Sequence, residues 1–182
     1  MAAYRNGEVE ALGKLIEHYR RPLFGFILKM TEGRGDAEEV FQEVWFRAIR
    51  RLDSYKDKSF LSWLFRIAHN LVIDMARKRK PDFSLNESHE DAQPMEEKLP
   101  SGKLGPDAEV GGFDIGQRIA RAVDKLPPEQ KEVFVLRTEA ELPFKEIAKI
   151  QDSSINTALA RMQYALAKLK EELAEDYKAL GK

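Results

Sequence analysis

Ser59 to Lys80, SFLSWLFRIAHNLVIDMARKRK, carries the residue types that hold nucleic acid. Ser59, Trp63, Arg66, Asn70 and Arg77 recur at helical steps and share one face of the helix they predict. That face offers an aromatic ring for stacking, an amide that reads base edges and two guanidiniums. The segment then ends in Arg77-Lys78-Arg79-Lys80. These groups suit unpaired bases held against a phosphate backbone. They also suit a plain surface helix, because the helix dipole favours cations at a C-terminus. Leu61, Leu64, Ile67, Ala68, Leu71 and Met75 form a separate apolar stripe that must pack on a core.

Two further segments carry candidate binding chemistry. Residues 144–163, FKEIAKIQDSSINTALARMQ, predict a helix-turn-helix with Ile147, Ala148, Ile155, Ala158 and Met162 as its small core. Its second helix presents Ser154, Asn156, Thr157 and Arg161 near the N-terminus, the end that meets phosphates and base edges in a major groove. A plain helical hairpin fits the same pattern. Glu39, Gln42, Glu43 and Phe46 lie at i, i+3, i+4 and i+7, apart from their helix's apolar stripe. An exposed Phe among acidic groups is a candidate protein-binding hot spot, although scattered exposed aromatics are also ordinary.

No catalytic constellation assembles. His18, His69 and His89 are scattered, and Gly111-Gly112-Phe113-Asp114-Ile115-Gly116 lacks the Lys-Ser/Thr ending of a phosphate loop. The chain has no cysteine, hence no disulfide framework and no thiolate metal site. Neither cofactor nor metal is expected, and the chain does not read as an enzyme.

The elements that position these residues are helical, and no segment reads as strand. Of the 182 residues 43% are hydrophobic and 34% charged, a composition that leans to helix and away from disorder or membrane. No apolar run spans a bilayer, and the N-terminus lacks a signal peptide's basic and apolar regions, so a bacterial-type cytoplasmic location is the expectation. Leu12, Leu15, Ile16, Tyr19, Leu23, Phe26, Ile27 and Met30 predict a first helix that Pro22 should kink or interrupt. Asp36 is a plausible N-cap for a second, burying Val40, Phe41, Val44, Trp45, Ala48 and Leu52. Asp53 to Lys58 is a polar loop, and Ser59 caps the third helix.

Charge divides the chain into three. Residues 1–80 hold 16 Lys+Arg against 11 Asp+Glu, residues 81–112 hold 2 against 8, and residues 113–182 hold 12 against 12. A basic module, an acidic segment and a neutral module follow one another. Residues 81–112, punctuated by Pro81, Pro94, Pro100, Pro106 and four glycines, read as a flexible tether too poor in apolar groups to fold alone. In the last module Pro127-Pro128 ends one short helix and starts the next, Leu142-Pro143 breaks again, and the helix-turn-helix follows.

DAEEVFQEVWFRAI (Asp36 to Ile49), SFLSWLFRIAHNLVID (Ser59 to Asp74) and LPPEQKEVFVLR with PFKEIAKI (Leu126 to Ile150) occur in an order and at a spacing that resemble the extracytoplasmic-function sigma factors of the bacterial sigma-70 family. The resemblance implies an all-α protein with two small helical domains, 1–80 and 113–182, joined by the acidic linker 81–112. It implies a transcription initiation factor that brings core RNA polymerase to promoters. Asp36, Glu39, Gln42, Glu43 and Phe46 would dock on the clamp helices of the largest subunit. Lys58, Ser59, Phe60, Trp63, Arg66, Asn70 and Arg77 would read the −10 element as a single strand, with one base extruded into a pocket under the Asp53–Ser59 loop. Ser154, Asn156, Thr157 and Arg161 would bind the −35 element as duplex, the second domain also meeting the flap of the second-largest subunit. The linker would thread towards the RNA path, and an anti-sigma factor is a further implied partner.

The recognition helix departs from the family pattern. Asn156 stands for the usual Gly, Asp152 for the Gly of the turn, Ser153 for an apolar turn residue, and Leu159, Tyr164 and Leu166 for common Lys or Arg. Asp tolerates left-handed geometry better than most residues. With no net charge, the 113–182 module should bind duplex DNA weakly by itself. Two rival readings remain at this level: a free-standing helix-turn-helix regulator, and a sigma-shaped protein-interaction module.

Overall fold

The computed structural model describes residues 9–52, 55, 59–79 and 112–174. These residues form seven helices and no strand. They are α1 (Val9–Met30), α2 (Arg34–Arg50), α3 (Phe60–Arg79), α4 (Gly112–Asp124), α5 (Pro128–Thr138), α6 (Phe144–Ile150) and α7 (Ile155–Glu172). Lys58, all of the linker but Gly112, and the loop residues other than Tyr55 and Ser59 lie outside them.

In the first module α1, α2 and α3 pack pairwise on one another. Leu23 and Ile27 of α1, Val40 and Val44 of α2, and Leu64 and Phe65 of α3 are almost wholly buried. Each such side chain contributes roughly 1.5–3 kcal/mol by leaving water. Phe65 lies outside the apolar stripe read from spacing. The arc of α3 that meets α1 and α2 is therefore wider than one heptad-like row. Of the kink or interruption expected at Pro22, the interruption does not occur: α1 runs unbroken through it. It sits on the exposed side, where water can satisfy the carbonyl that its missing N–H leaves free.

Helix starts differ from the expectation at one place and agree at another. Asp36 does not cap α2. Gly33 precedes the helix and Asp36 stands in its first turn, where a carboxylate favours the dipole. Its Oδ1 accepts from Arg79 Nη2 at 2.5 Å, and Arg79 Nη1 also meets Glu32 at 3.2 Å. The start of α2 is thus tied to the end of α3. Ser59 does cap α3: its Oγ accepts from the Ser62 N–H at 3.3 Å.

In the second module α7 is the central helix, packed by α4, α5 and α6. Val133 and Leu136 of α5, Ile147 of α6, and Ala158 and Ala165 of α7 are fully buried. Lys125 holds Glu172 at 2.6 Å and Lys131 holds Asp124 at 2.7 Å, closing α4 against its neighbours. The two modules also touch. Helix α3 packs on α6, and α1 on α5.

Candidate nucleic-acid and protein interfaces

The α3 surface carries its chemistry where spacing placed it. Arg66, Asn70 and Arg77 are exposed on one side of the helix. Trp63, half-buried at the same side, packs against Tyr55 with ring centroids 5.0 Å apart and against Phe60 at 5.4 Å. Tyr55 and Phe60 meet edge to face at 5.3 Å. The cluster continues inward through Tyr19 and Trp45 to Phe41. Aromatic contacts of this kind stiffen the Trp63 ring at about 0.5–1.5 kcal/mol each.

Two of the residues expected on this face also serve the fold. Phe60 is only 7% exposed and sits at the centre of the aromatic cluster, so its ring has no face to offer a base. The Ser59 hydroxyl starts α3 and also meets the Ser62 hydroxyl at 2.9 Å. Tyr55 was missed from sequence. It stands in a polar loop, yet its ring completes the pair with Trp63; an aromatic flanked by Ser54 and Lys56 was the available signal. Of the basic run that ends the helix, Arg79 is engaged by Asp36 and Glu32, while Arg77 and Lys78 are exposed.

On α2 the acidic face is open. Phe46 is 55% exposed, Glu39 and Gln42 are exposed, and Glu43 is held by Arg47 at 2.7 Å. The Arg50 guanidinium lies 5.3 Å above the Phe46 ring. Glu39, Gln42, Glu43 and Phe46 form one wall of a groove whose other wall is Leu71, Asp74, Met75 and Lys78 of α3. Asp36 does not join them as a free group, because Arg79 beside it holds its carboxyl below the ordinary carboxylate range.

The helix-turn-helix is present, with one change in its core. Ile147, Ala148, Ala158 and Met162 are buried as expected, but Ile155 is 45% exposed and Ile150 fills the inner position. Ile155 is the first residue of α7, and the turn aims it outward. Asp152 takes the left-handed conformation, φ 49°. The Ser153 N–H then reaches back to the Ala148 carbonyl at 2.9 Å and closes α6. Ser154 caps α7: its Oγ accepts from the Thr157 N–H at 3.0 Å and meets the Thr157 hydroxyl at 2.8 Å.

Ile155, Asn156 and Thr157 face solvent at the N-terminus of α7. Arg161 is half-buried and donates from Nη1 to Gln151 Oε1 at 2.9 Å. Gln151 Nε2 donates to Glu132 Oε2 at 2.7 Å and to the Glu129 carbonyl at 3.1 Å. Glu132, only 3% exposed, and Gln151 were not recognised from sequence. Nothing in the spacing of a Glu on an amphipathic helix marks it as buried.

Two family models match the chain: sigma-70 region 2 over residues 15–81, which spans the α3 and α2 surfaces, and sigma-70 region 4 over residues 116–169, which spans the helix-turn-helix. The chain is 27% identical over 174 residues to the ECF RNA polymerase sigma factor SigW of Bacillus subtilis, covering 94% of this chain and 93% of that one. It is 28% identical over 165 residues to the ECF RNA polymerase sigma-E factor of Escherichia coli, covering 87% and 84%. Among solved structures, the sigma factor RpoE of Bartonella quintana, in complex with the anti-sigma factor NepR, superposes with a TM-score of 0.66 at 20% identity over 91% of this chain and 98% of that one. CnrH, in complex with the cytosolic domain of CnrY, does so with a TM-score of 0.66 at 23% identity over 96% and 95%. Those two share the all-α fold. With both region models matched in order and relatives of this kind aligned along most of its length, the chain belongs to the extracytoplasmic-function group of the sigma-70 family.

Proposed function

We propose that the chain divides initiation among three surfaces: the α2–α3 groove docks core RNA polymerase, the outer face of α3 captures the −10 strand, and the N-terminus of α7 meets the −35 duplex. The family is non-enzymatic, and the polymerase performs the chemistry. The observation that carries the assignment is on one module. Arg66 and Asn70 stand exposed beside the Tyr55–Trp63 pair, while Phe46, under the Arg50 guanidinium, stands exposed among carboxylates on α2. The module can therefore hold polymerase with one helix and single-stranded DNA with the next.

Each surface has a physical division of labour. In the groove, Phe46 supplies apolar area and Glu39 and Glu43 supply charge, the composition of a hot spot with an acidic rim. On α3, Trp63 and Tyr55 offer ring faces, Asn70 a base-reading amide and Arg66 and Arg77 phosphate contacts. An extruded base costs a few kcal/mol to unstack, which a preformed and stiff aromatic pair offsets better than a mobile one. On α7, Ser154, Asn156 and Thr157 read the duplex with neutral groups, and Arg161 adds the guanidinium N–H groups not committed to Gln151. We place this activity in the bacterial cytoplasm, with linker 81–112 tethering the domains 1–80 and 113–182. Among the described residues, no helix is long and apolar enough to cross a membrane. An anti-sigma factor is proposed as a regulatory partner, as in the similar RpoE–NepR complex.

The test is reconstitution. The chain is mixed with purified core polymerase and promoter fragments, and run-off transcripts are sought. Specific transcripts that depend on the chain support the reading; a chain that forms no complex with core and yields no transcript refutes it.

A further inference from the structure

Helix α7 turns a nearly uncharged face outward. Asn156, Ala160 and Tyr164 follow one another at steps of four and form one row along the helix. Asn156 is exposed, Ala160 half-buried and Tyr164 54% exposed. The opposite side, Ala158, Met162, Ala165 and Leu169, is core. The first fully exposed cation of α7 is Lys168, beyond the row. At 1.5 Å per residue the row is about 12 Å long, the length of about three to four base pairs at 3.4 Å per step.

The side chains in this row select among bases. Guanine shows two acceptors in the major groove, N7 and O6, and Arg or Lys matches them. The nearest guanidinium, Arg161, is half-buried, and its Nη1 donates to Oε1 of buried Gln151 at 2.9 Å. Gln151 is fixed in turn by Glu132. Arg161 is thus anchored at the edge of the row, where it serves phosphate and not a base. Asn156 carries a different pattern. Its Nδ2 donates and its Oδ1 accepts, which matches N7 and the N6 amino group of adenine. Against guanine, Oδ1 would meet O6, acceptor against acceptor. The usual Gly at this place has no side chain to make such a contact. One turn on, Ala160 offers a methyl group, the apolar partner of a thymine C5-methyl, and is small enough to let the helix enter closely. Tyr164 ends the row with a hydroxyl that can donate to a phosphate.

We propose that Asn156 specifies an adenine in the −35 element, that Ala160 meets a thymine methyl about two base pairs away, and that Tyr164 holds the phosphate wall in place of a cation. The chain then reads A·T pairs in the major groove with no guanine contact from this row. The inference rests on the assignment of α7 to the −35 duplex and names the bases that helix takes. Asn156 supplies the discrimination, because its amide matches one base edge and opposes another. Tyr164 supplies affinity without sequence information, because every base pair carries the same phosphate.

The experiment uses the full chain assembled with core polymerase. Promoter fragments retained by that holoenzyme are randomised over their −35 half, selected again and sequenced. The parent should retain adenine at one position. Asn156→Ala should lower that preference about tenfold, the worth of a bidentate base contact, with the other positions unchanged. Asn156→Arg should turn the preference at the same position to guanine, which a misfolded helix could not do. Tyr164→Phe should weaken binding about tenfold on every sequence, as the loss of a hydrogen bond to a charged group does, and leave the preferences alone. A −35 preference untouched by both Asn156→Ala and Asn156→Arg overturns the inference while the initiation assignment stands, and so does guanine at the position that depends on Asn156. A holoenzyme that retains no promoter fragment refutes that assignment, and the inference with it.

Discussion

Asn70 is the sharpest residue on the α3 face, because it carries a base-reading amide, stands exposed, and takes no part in the aromatic cluster. Asn70→Ala should lower promoter opening about tenfold, the worth of one base contact of roughly 1–3 kcal/mol, with core binding unchanged; permanganate footprinting and a polymerase-binding titration check the two arms. Phe46→Ala should do the reverse. It should weaken core binding by about 1–2 kcal/mol as a central aromatic anchor, while the folded module keeps its melting temperature, because the ring is more exposed than not. Asp36 makes a third case. Its carboxyl is held below its ordinary value of 3.8, first by the hydrogen bond from Arg79. A depressed folded-state value gives stability that is present above the unfolded value and lost as pH falls through the folded one. The stability gap between the parent and Asp36→Asn should therefore be open at neutral pH and close below about pH 4, as read by denaturant melts across pH; a gap that widens with acid would contradict the pairing.

At the scale of elements, the turn between α6 and α7 determines where the recognition helix points. Asp152 holds φ 49° where glycine has no Cβ penalty. Asp152→Gly should be close to neutral or stabilising by up to about 1 kcal/mol, since a left-handed non-glycine residue costs roughly 1–2 kcal/mol, and thermal unfolding measures it. Ser154→Ala should cost about 1 kcal/mol by removing the cap on the Thr157 N–H. Helices were legible in the sequence for physical reasons. The α6 limits, Phe144–Ile150, follow from Pro143 before the helix and the polar turn after it, and the α3 start follows from Ser59. The misreadings share a cause as well. Asp36 looks like a cap by type, but Arg79, more than forty residues away, engages its carboxylate. Ile155 has the period of a core residue, yet at the first position of α7 the turn carries it outward. Phe60 lies beside the reading face in sequence and under it in space, because three other helix and loop aromatics close over it. Spacing reports a residue's own helix and says nothing of what another helix brings to it.

At the scale of the whole molecule, the sequence motifs identify two modules and their order, while the way the modules meet was invisible to it. His69 and Glu132 lie inside the motif segments and Gln151 just after one, but nothing in those segments marks them as partners; only the packing of the two modules brings them together. We propose that this chain directs polymerase to promoters through the exposed faces of its first module. The most direct measurement is run-off transcription from promoter fragments with purified core polymerase, comparing the parent chain with Asn70→Ala and Phe46→Ala. Specific transcripts are expected with the parent, about tenfold fewer with Asn70→Ala although holoenzyme forms, and weaker holoenzyme itself with Phe46→Ala. Specific transcripts undiminished by both substitutions would contradict the proposal.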